Sequence, residues 1–177
     1  MDELEKDLLD ILPKERVKAR LIDRYAFASD ASHFYLLPKA VVQPVSVKEI
    51  KKLFEFSHQQ NIPITFRAGG TSLSGQGVTD GILVDLSSFW RKVVPENNGA
   101  TVRVEPAVIG ANVNQSLKKF GRKIGPDPAS INAAMMGGIL SNNASGMCCG
   151  VIQNSYHTLK SMTFVLPNGM VFNSEVE

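Results

Sequence analysis

Apolar runs between residues 40 and 86 predict three strands, with a helix between the first two. The strands are residues 40–43, 62–66 and 81–86, each a short run rich in apolar side chains. A strand, a helix and a second strand at this spacing are typical of a βαβ unit, in which the strands pair in parallel.

The helix of this unit carries start and stop signals. Ser46 and Glu49 form a capping box, in which the serine hydroxyl accepts one free helix N–H and the glutamate reaches back to another. Asn61 follows Gln60 and is suited to the left-handed turn that ends many helices. We therefore expect the helix to run to about Gln60.

Further along, the pattern favours antiparallel strands. A polar break at Pro95–Gly99 precedes an alternating strand at Thr101–Glu105, and a helix over Gly110–Phe120 ends at Gly121. Residues 159–173 predict a hairpin around a Pro-Asn-Gly turn.

These elements suggest three segments. Residues 1–37 form an N-terminal helical arm, which starts with an amphipathic helix at Asp2–Leu12. Residues 38–97 form a lobe with parallel strands, and residues 98–177 form an incomplete lobe with antiparallel strands.

Charge and composition are those of an ordinary globular domain. Lys and Arg number 19 and Asp and Glu 17, a net charge of +2, which gives no support for nucleic-acid binding. The N-terminus does not resemble a secretory signal, and no apolar run approaches the ~20 residues of a membrane helix. We expect a cytoplasmic protein without an integral membrane segment, and attachment to a membrane surface stays open.

Reactive side chains are few. The two cysteines, Cys148 and Cys149, are adjacent and lack the spaced partners of a zinc or iron–sulfur site, so reduced thiols and no metal are expected. His58 lies on the predicted surface helix, and His33 and His157 are interpreted as structural. No catalytic residue is assigned.

A glycine-rich stretch follows the second predicted strand. Residues 67–77 contain four glycines, three hydroxyl side chains and an arginine. Small residues let the backbone approach a ligand, and its N–H groups can then bind a diphosphate. The candidate phosphate-binding residues are Arg67, Ala68, Gly69, Gly70, Thr71, Ser72, Leu73, Ser74, Gly75 and Gln76.

Two better-known phosphate loops do not fit this stretch. Gly70 and Gly75 have the glycine spacing of a P-loop, but Gln76 and Gly77 stand where Lys and Ser or Thr are needed. The dinucleotide fingerprint G-x-G-x-x-G is absent as well. A plain flexible loop remains the alternative.

A second cluster of small residues lies between residues 126 and 146. The small side chains indicate that a bulky group packs against the backbone here. The asparagines and serines offer polar groups for a ring edge or a ribose. Close helix packing explains one such cluster, but two clusters favour a large planar ligand with a diphosphate. The candidates are Pro126, Asp127, Ser130, Gly137, Gly138, Asn142, Asn143, Ala144, Ser145 and Gly146.

Together these motifs resemble the FAD-binding domain of the vanillyl-alcohol oxidase family, also called the p-cresol methylhydroxylase (PCMH) type. They look most like the D-lactate dehydrogenase and glycolate oxidase branch. The resemblance implies an α+β fold: a two-lobed PCMH-type FAD-binding domain with a small parallel βαβ lobe and an antiparallel-sheet lobe with helices, truncated at the C-terminus. The matching stretches are residues 67–76, 126–130, 137–138, 142–146 and 166–169.

The resemblance also implies where FAD lies. Residues 67–76 would wrap the pyrophosphate, and residues 126–131 and 138–147 would line the adenosine and flavin parts. Some members attach the flavin to a histidine at the place of Thr71, and threonine cannot make that bond, so non-covalent FAD is expected. Many members carry Arg-Tyr-Gly where this chain has residues 148–156, so the flavin contact there stays open.

The implied activity is oxidation of a small 2-hydroxy acid, of the D-lactate or glycolate type, by hydride transfer to FAD. The electron acceptor is unknown. Family members continue beyond the matched region, so a substrate-binding cap and the catalytic base are expected outside these residues, and the fragment is expected to be inactive alone. Two alternatives stay open: another substrate, as in aldehyde oxidases or the reductase of muramate precursors, and an interaction domain without flavin.

Overall fold

A computed structural model describes residues 3–175 of the chain. The chain forms two compact units: the first holds the residues up to Arg67, Ser72–Leu86 and those from Ser161 on, and the second holds Ala68–Thr71 and Ser87–Lys160. In chain order the elements are α1 (Glu3–Leu9), β1 (Val17–Lys18), α2 (Leu21–Ala26), β2 (Ala40–Val42), α3 (Val47–Gln60), β3 (Ile64–Arg67), β4 (Ile82–Asp85), β5 (Val93–Glu96), β6 (Thr101–Val104), α4 (Gly110–Leu117), α5 (Met136–Ser141), α6 (Ser155–Thr158), β7 (Thr163–Val165) and β8 (Val171–Asn173).

The first unit is built on a mixed four-stranded sheet in the order β1-β2-β4-β3. Strands β2, β4 and β3 are parallel, and β1 joins β2 antiparallel. The predicted βαβ unit is confirmed, with β4 inserted between the two strands that α3 connects. Every residue of β2 and β4 is buried, as expected for central parallel strands covered on both faces.

Helix α3 begins and ends where its sequence signals place it. The Ser46 hydroxyl accepts the Glu49 N–H at 3.3 Å, and Asn61 adopts φ 52° and ψ 40° at the C-terminal end. The Glu49 carboxylate accepts the Val45 N–H at 2.7 Å and two bonds from Arg16 at 2.6 and 2.8 Å. Arg16 thereby lowers the pKa of Glu49 and ties the N-terminal arm to the helix.

Apolar side chains from this helix, the arm and the sheet form the core of the first unit. Leu53 and Phe56 supply the helical side of that core. The buried members are Leu8, Leu12, Val17, Ala40, Val42, Leu53, Phe56, Ile82 and Val84.

The predicted hairpin is formed by β7 and β8, which pair antiparallel. The stacked rings of Phe164 and Phe172 are 5.7 Å apart, and the His58 ring nitrogen Nε2 lies 3.2 Å from the Pro167 carbonyl oxygen. The hairpin therefore belongs to the first unit, whereas the predicted segments group it with residues 98–160. The three-segment division stays a prediction.

The second unit pairs β5 with β6 and packs α4 and α5 into its own core. The predicted polar break is wrong at its start, because Pro95 and Glu96 are paired residues of β5. A proline is tolerated there since β5 has a single partner strand. The buried core residues are Val108, Val113, Leu117, Ala134, Met136 and Ile139.

Helix boundaries elsewhere differ from the predictions by a few residues. Helix α1 ends at Leu9, although Leu12 is also buried, and Asp2 lies outside the described residues. Helix α4 continues as a 3-10 turn to Phe120 and stops at Gly121, with φ 67°. Within residues 3–175 no helix has the length and apolar character to cross a membrane.

Candidate functional site

The glycine-rich loop leaves the buried end of β3 at Arg67. The side chain of Arg67 is 9% exposed, and its guanidinium donates to the carbonyl oxygens of Ser29 at 2.9 Å and Gly77 at 3.4 Å. It also lies 5.1 Å from the ring centroid of Phe27. Arg67 thus joins the first and last residues of the loop and fastens both to the arm.

Burial is the largest influence on the pKa of Arg67. Desolvation lowers the pKa of Arg67 from its ordinary value, and the negative charges of Asp85 and Asp30 act in the opposite direction. One carboxylate oxygen of Asp30 is buried and has no hydrogen-bond partner in the described structure. The same oxygen would be 3.0 Å from a Cβ on Gly77, so a side chain at that position would press against it.

Residues 68–71 form a row of backbone donors within the second unit. Their amide N–H groups hydrogen-bond to no other group between residues 3 and 175. Gly70 has φ 60°, a left-handed conformation that glycine adopts at little cost. A Cβ on Gly69 would lie 3.0 Å from the Ala133 carbonyl oxygen and 3.2 Å from the Met135 nitrogen. This stretch therefore lies directly against the segment that leads into α5.

Two neighbouring glycines in α5 have different surroundings. A Cβ on Gly137 would meet Pro106 at 2.8 Å, and its N–H donates to the Pro106 carbonyl at 2.9 Å. Gly138 is exposed, a Cβ there would meet nothing within 4 Å, and its N–H has no acceptor in the described chain. Packing inside the protein accounts for the glycine at 137 but not for the glycine at 138.

The two ends of the second small-residue cluster meet each other. The Asp127 N–H donates to the Ser145 carbonyl at 3.1 Å, and Gly146 packs against the Asp127 backbone so closely that no Cβ fits. Gly146 also has φ 148°. Pro126 is buried beside this contact. Ser130 lies in a turn, and its carbonyl oxygen accepts the N–H groups of Ala133 and Ala134.

The residues between α5 and this contact are held by α6. Asn143, with φ 46°, accepts the Tyr156 N–H on its side-chain oxygen at 3.0 Å. The buried Ser155 hydroxyl lies 2.7 Å from the Ala144 carbonyl oxygen. Asn142 also makes a contact within the chain. The asparagine at 143 is thus engaged by the protein itself.

The remaining loop residues, 72–76, belong to the first unit. The Ser72 hydroxyl hydrogen-bonds to the Gln76 side chain and accepts the Ser74 N–H at 3.2 Å. Gly75 has φ 75° and packs against the Phe34 ring. Leu73 is 73% exposed.

Side chains suited to acid–base or metal chemistry are scattered. His33 is exposed, and the His157 ring hydrogen-bonds to Asn154 at 2.8 Å. Cys149 is buried and Cys148 exposed, both as free thiols. No three His, Cys, Asp or Glu side chains from residues 3 to 175 are grouped to hold a metal ion.

Sequence reasoning missed the partners of the two clusters. Ala133–Met135, which faces Gly69, and the Ser155–Tyr156 pair, which supports residues 143–144, carry no motif. The small side chains of residues 133–134 are the one local sign of close backbone approach.

The chain is similar to known FAD-binding proteins. A family model described as an FAD binding domain matches residues 38–175. D-2-hydroxyglutarate dehydrogenase of Escherichia coli is 32% identical over 157 residues, which are 86% of this chain and 15% of that protein. The mitochondrial D-lactate dehydrogenase [cytochrome] 1 of Saccharomyces cerevisiae is 30% identical over 147 residues, 78% of this chain and 24% of that protein.

The fold is shared with a solved oxidase. The structure of 6-hydroxy-D-nicotine oxidase from Arthrobacter nicotinovorans superposes with a TM-score of 0.78 at 19% identity, over 92% of this chain and 36% of that one. The chain thus spans a minor part of the length of each relative. By the family match and the shared fold, the chain belongs to the FAD binding domain family, the PCMH-type domain of the vanillyl-alcohol oxidase family, whose cofactor is FAD.

Proposed function

We propose that the chain holds FAD non-covalently, as the cofactor-binding part of an oxidoreductase that oxidises a small 2-hydroxy acid. The observation that carries the proposal is the row of unpaired N–H groups at residues 68–71, lying against Ala133–Met135. Backbone donors that no protein group uses, in a stretch without bulky side chains, fit a diphosphate.

The exposed face at Gly138 supports the same ligand. A glycine with open space beside it and a free N–H leaves room for a flat group to approach the backbone. We assign the pyrophosphate to residues 67–76 and the adenosine and flavin parts to residues around 126–130, 137–138 and 142–146. Arg67 contributes by fixing the loop ends, since its guanidinium is bonded to backbone carbonyls.

When bound, FAD supplies an acceptor for a hydride from the carbon that bears the substrate hydroxyl. The residues of this chain bind and orient the cofactor, and no described side chain is placed as a base. The names of the relatives support a 2-hydroxy acid of the D-2-hydroxyglutarate, D-lactate or glycolate type as substrate. Thr71 supports non-covalent attachment, because its hydroxyl cannot form the bond that a histidine makes.

Anaerobic bleaching of the flavin in the full-length protein tests the substrate. D-2-hydroxyglutarate, D-lactate and glycolate are added separately, with a reduced nicotinamide nucleotide as the comparison. Bleaching by one of the three acids supports the proposal, whereas bleaching by the nicotinamide nucleotide alone favours a reductase. Flavin that stays on the chain after denaturation contradicts non-covalent binding.

A further inference from the structure

The second unit has a larger net positive charge than the whole chain, because it contains few acidic residues. Residues 87–160 contain eight Lys and Arg against three Asp and Glu, a net charge of +5 within a chain of net +2. The three acidic side chains are engaged: Glu96 with Arg103 at 3.2 Å, Glu105 with the Lys92 N–H at 2.7 Å, and Asp127 with Lys123 at 3.7 Å. The excess of positive charge is therefore not compensated locally.

Part of this charge surrounds a groove of about 400 Å³ in the second unit. The groove lies beside the second half of α4, and its polar lining residues are Asn114, Gln115, Lys118, Arg122, Lys123 and Asn132. No acidic residue lines it. Lys118 and Arg122 form no ion pair with any residue from 3 to 175, and Lys123 makes the single long contact given above.

The walls of the groove are fixed by hydrogen bonds. The Asn114 side-chain oxygen accepts the Ile124 N–H at 2.9 Å, which holds the segment with Arg122 and Lys123 against α4. On the other side, the Ala111 N–H donates to the Ile131 carbonyl at 3.0 Å. The cations are therefore mounted around a formed concave surface.

The free carbonyl groups at the end of α4 account for the position of one of these three cations. Lys118 is in the last turn, where a positive charge is favourable next to free helix carbonyls. Arg122 and Lys123 come after Gly121, which has already ended the helix. Lys119, on the same turn, lies 5.0 Å from the Phe120 ring centroid and does not line the groove.

We propose that this groove binds a small soluble anion that carries two or more phosphate charges. Three cations can neutralise a diphosphate, and the neighbouring amide side chains add hydrogen-bonding groups. The volume suits a small molecule, and none of these polar lining residues belongs to the set assigned above to FAD. The proposal does not depend on the proposed function.

Titration calorimetry with inorganic pyrophosphate, at constant ionic strength and with saturating FAD, tests this site. The wild-type chain is expected to bind one pyrophosphate, and K118Q/R122Q to bind it at least about tenfold more weakly, since two charge-assisted contacts are lost. The matched control is K119Q/K160Q, which removes the same charge outside the groove lining and should change the affinity by less than about twofold.

Two results would overturn the proposal: equal weakening in the control, or no saturable binding of pyrophosphate with FAD present, including binding that appears only when FAD is left out. Co-sedimentation with phosphatidylglycerol vesicles identifies the source of the phosphate. Binding to vesicles without binding of soluble pyrophosphate would assign the groove to a lipid surface and reject a small-molecule site. FAD affinity measured on the same variants should be unchanged, which separates this test from that of the proposed function.

Discussion

Replacing Gly138 by alanine separates a glycine kept for a ligand from one kept for the fold. Gly138 lies inside α5, and the added methyl group would meet no atom within 4 Å. Alanine stabilises a helix interior by about 0.5–1 kcal/mol relative to glycine. Without ligand, Gly138→Ala should therefore be at least as stable as the wild type, with a melting temperature up to roughly 4 °C higher.

FAD binding should change in the opposite direction. The methyl group would occupy the open space beside the free N–H of Gly138, where the cofactor is proposed to approach. Loss of one backbone hydrogen bond to a charged or polar ligand group costs about 1.5–3 kcal/mol, which is roughly a 10- to 100-fold rise in Kd. Quenching of flavin fluorescence measures this Kd, and thermal unfolding measures the stability.

Gly137→Ala is the matched control. Its methyl group would lie 2.8 Å from Pro106, so it should destabilise the fold by about 1–3 kcal/mol even without ligand. An unchanged Kd for Gly138→Ala would refute the reasoning, as would a loss of stability equal to that of Gly137→Ala.

Three further predictions concern the supports of the site and the fold. Arg67→Met should lower the free energy of unfolding by roughly 2–4 kcal/mol and weaken FAD binding, because the backbone carbonyls of Ser29 and Gly77 lose a charged donor. Denaturant titration and fluorescence quenching check this, and unchanged stability would contradict it. The ionised Glu49 stabilises the fold above its unfolded pKa of about 4.3, and this stabilisation is lost as the pH falls through the lowered folded pKa. Glu49→Gln should thus flatten the fall in stability below about pH 5, and the exposed Glu55→Gln should not. Gly146→Ala should cost roughly 3–5 kcal/mol, and Gly150→Ala, with open space around its Cβ, only about 1–2, as thermal melts would show.

Local structure could be predicted where one residue or a short motif sets the backbone conformation around it. The bounds of α3 follow from Ser46 and Asn61, and the hairpin follows from its Pro-Asn-Gly turn. Strand β5 was missed because Pro95 and Glu96 are poor strand formers, and the pairing with β6 overrides that preference. The place of β4 between β2 and β3 could not be predicted, since the hydrophobic period carries no information on strand order.

The candidate site shows the same division. The glycine-rich loop and the small-residue cluster were recognisable from local composition, but their contacts were not. Gly69 meets Ala133 more than sixty residues away, and no pairing signal in the sequence connects the two. The charge of Arg67 suggested a phosphate partner, whereas a buried guanidinium bonds first to the nearest carbonyls, here those of Ser29 and Gly77. The set of cofactor-binding residues stays a prediction.

Calorimetric titration of the chain with FAD and, separately, with riboflavin tests most directly whether bare backbone amides recognise the diphosphate. FAD should bind with one site per chain, and riboflavin, which has the same ring system but no phosphate, should bind at least about tenfold more weakly. Equal affinity for the two flavins, or no saturable binding of FAD, would contradict the role given to residues 68–71.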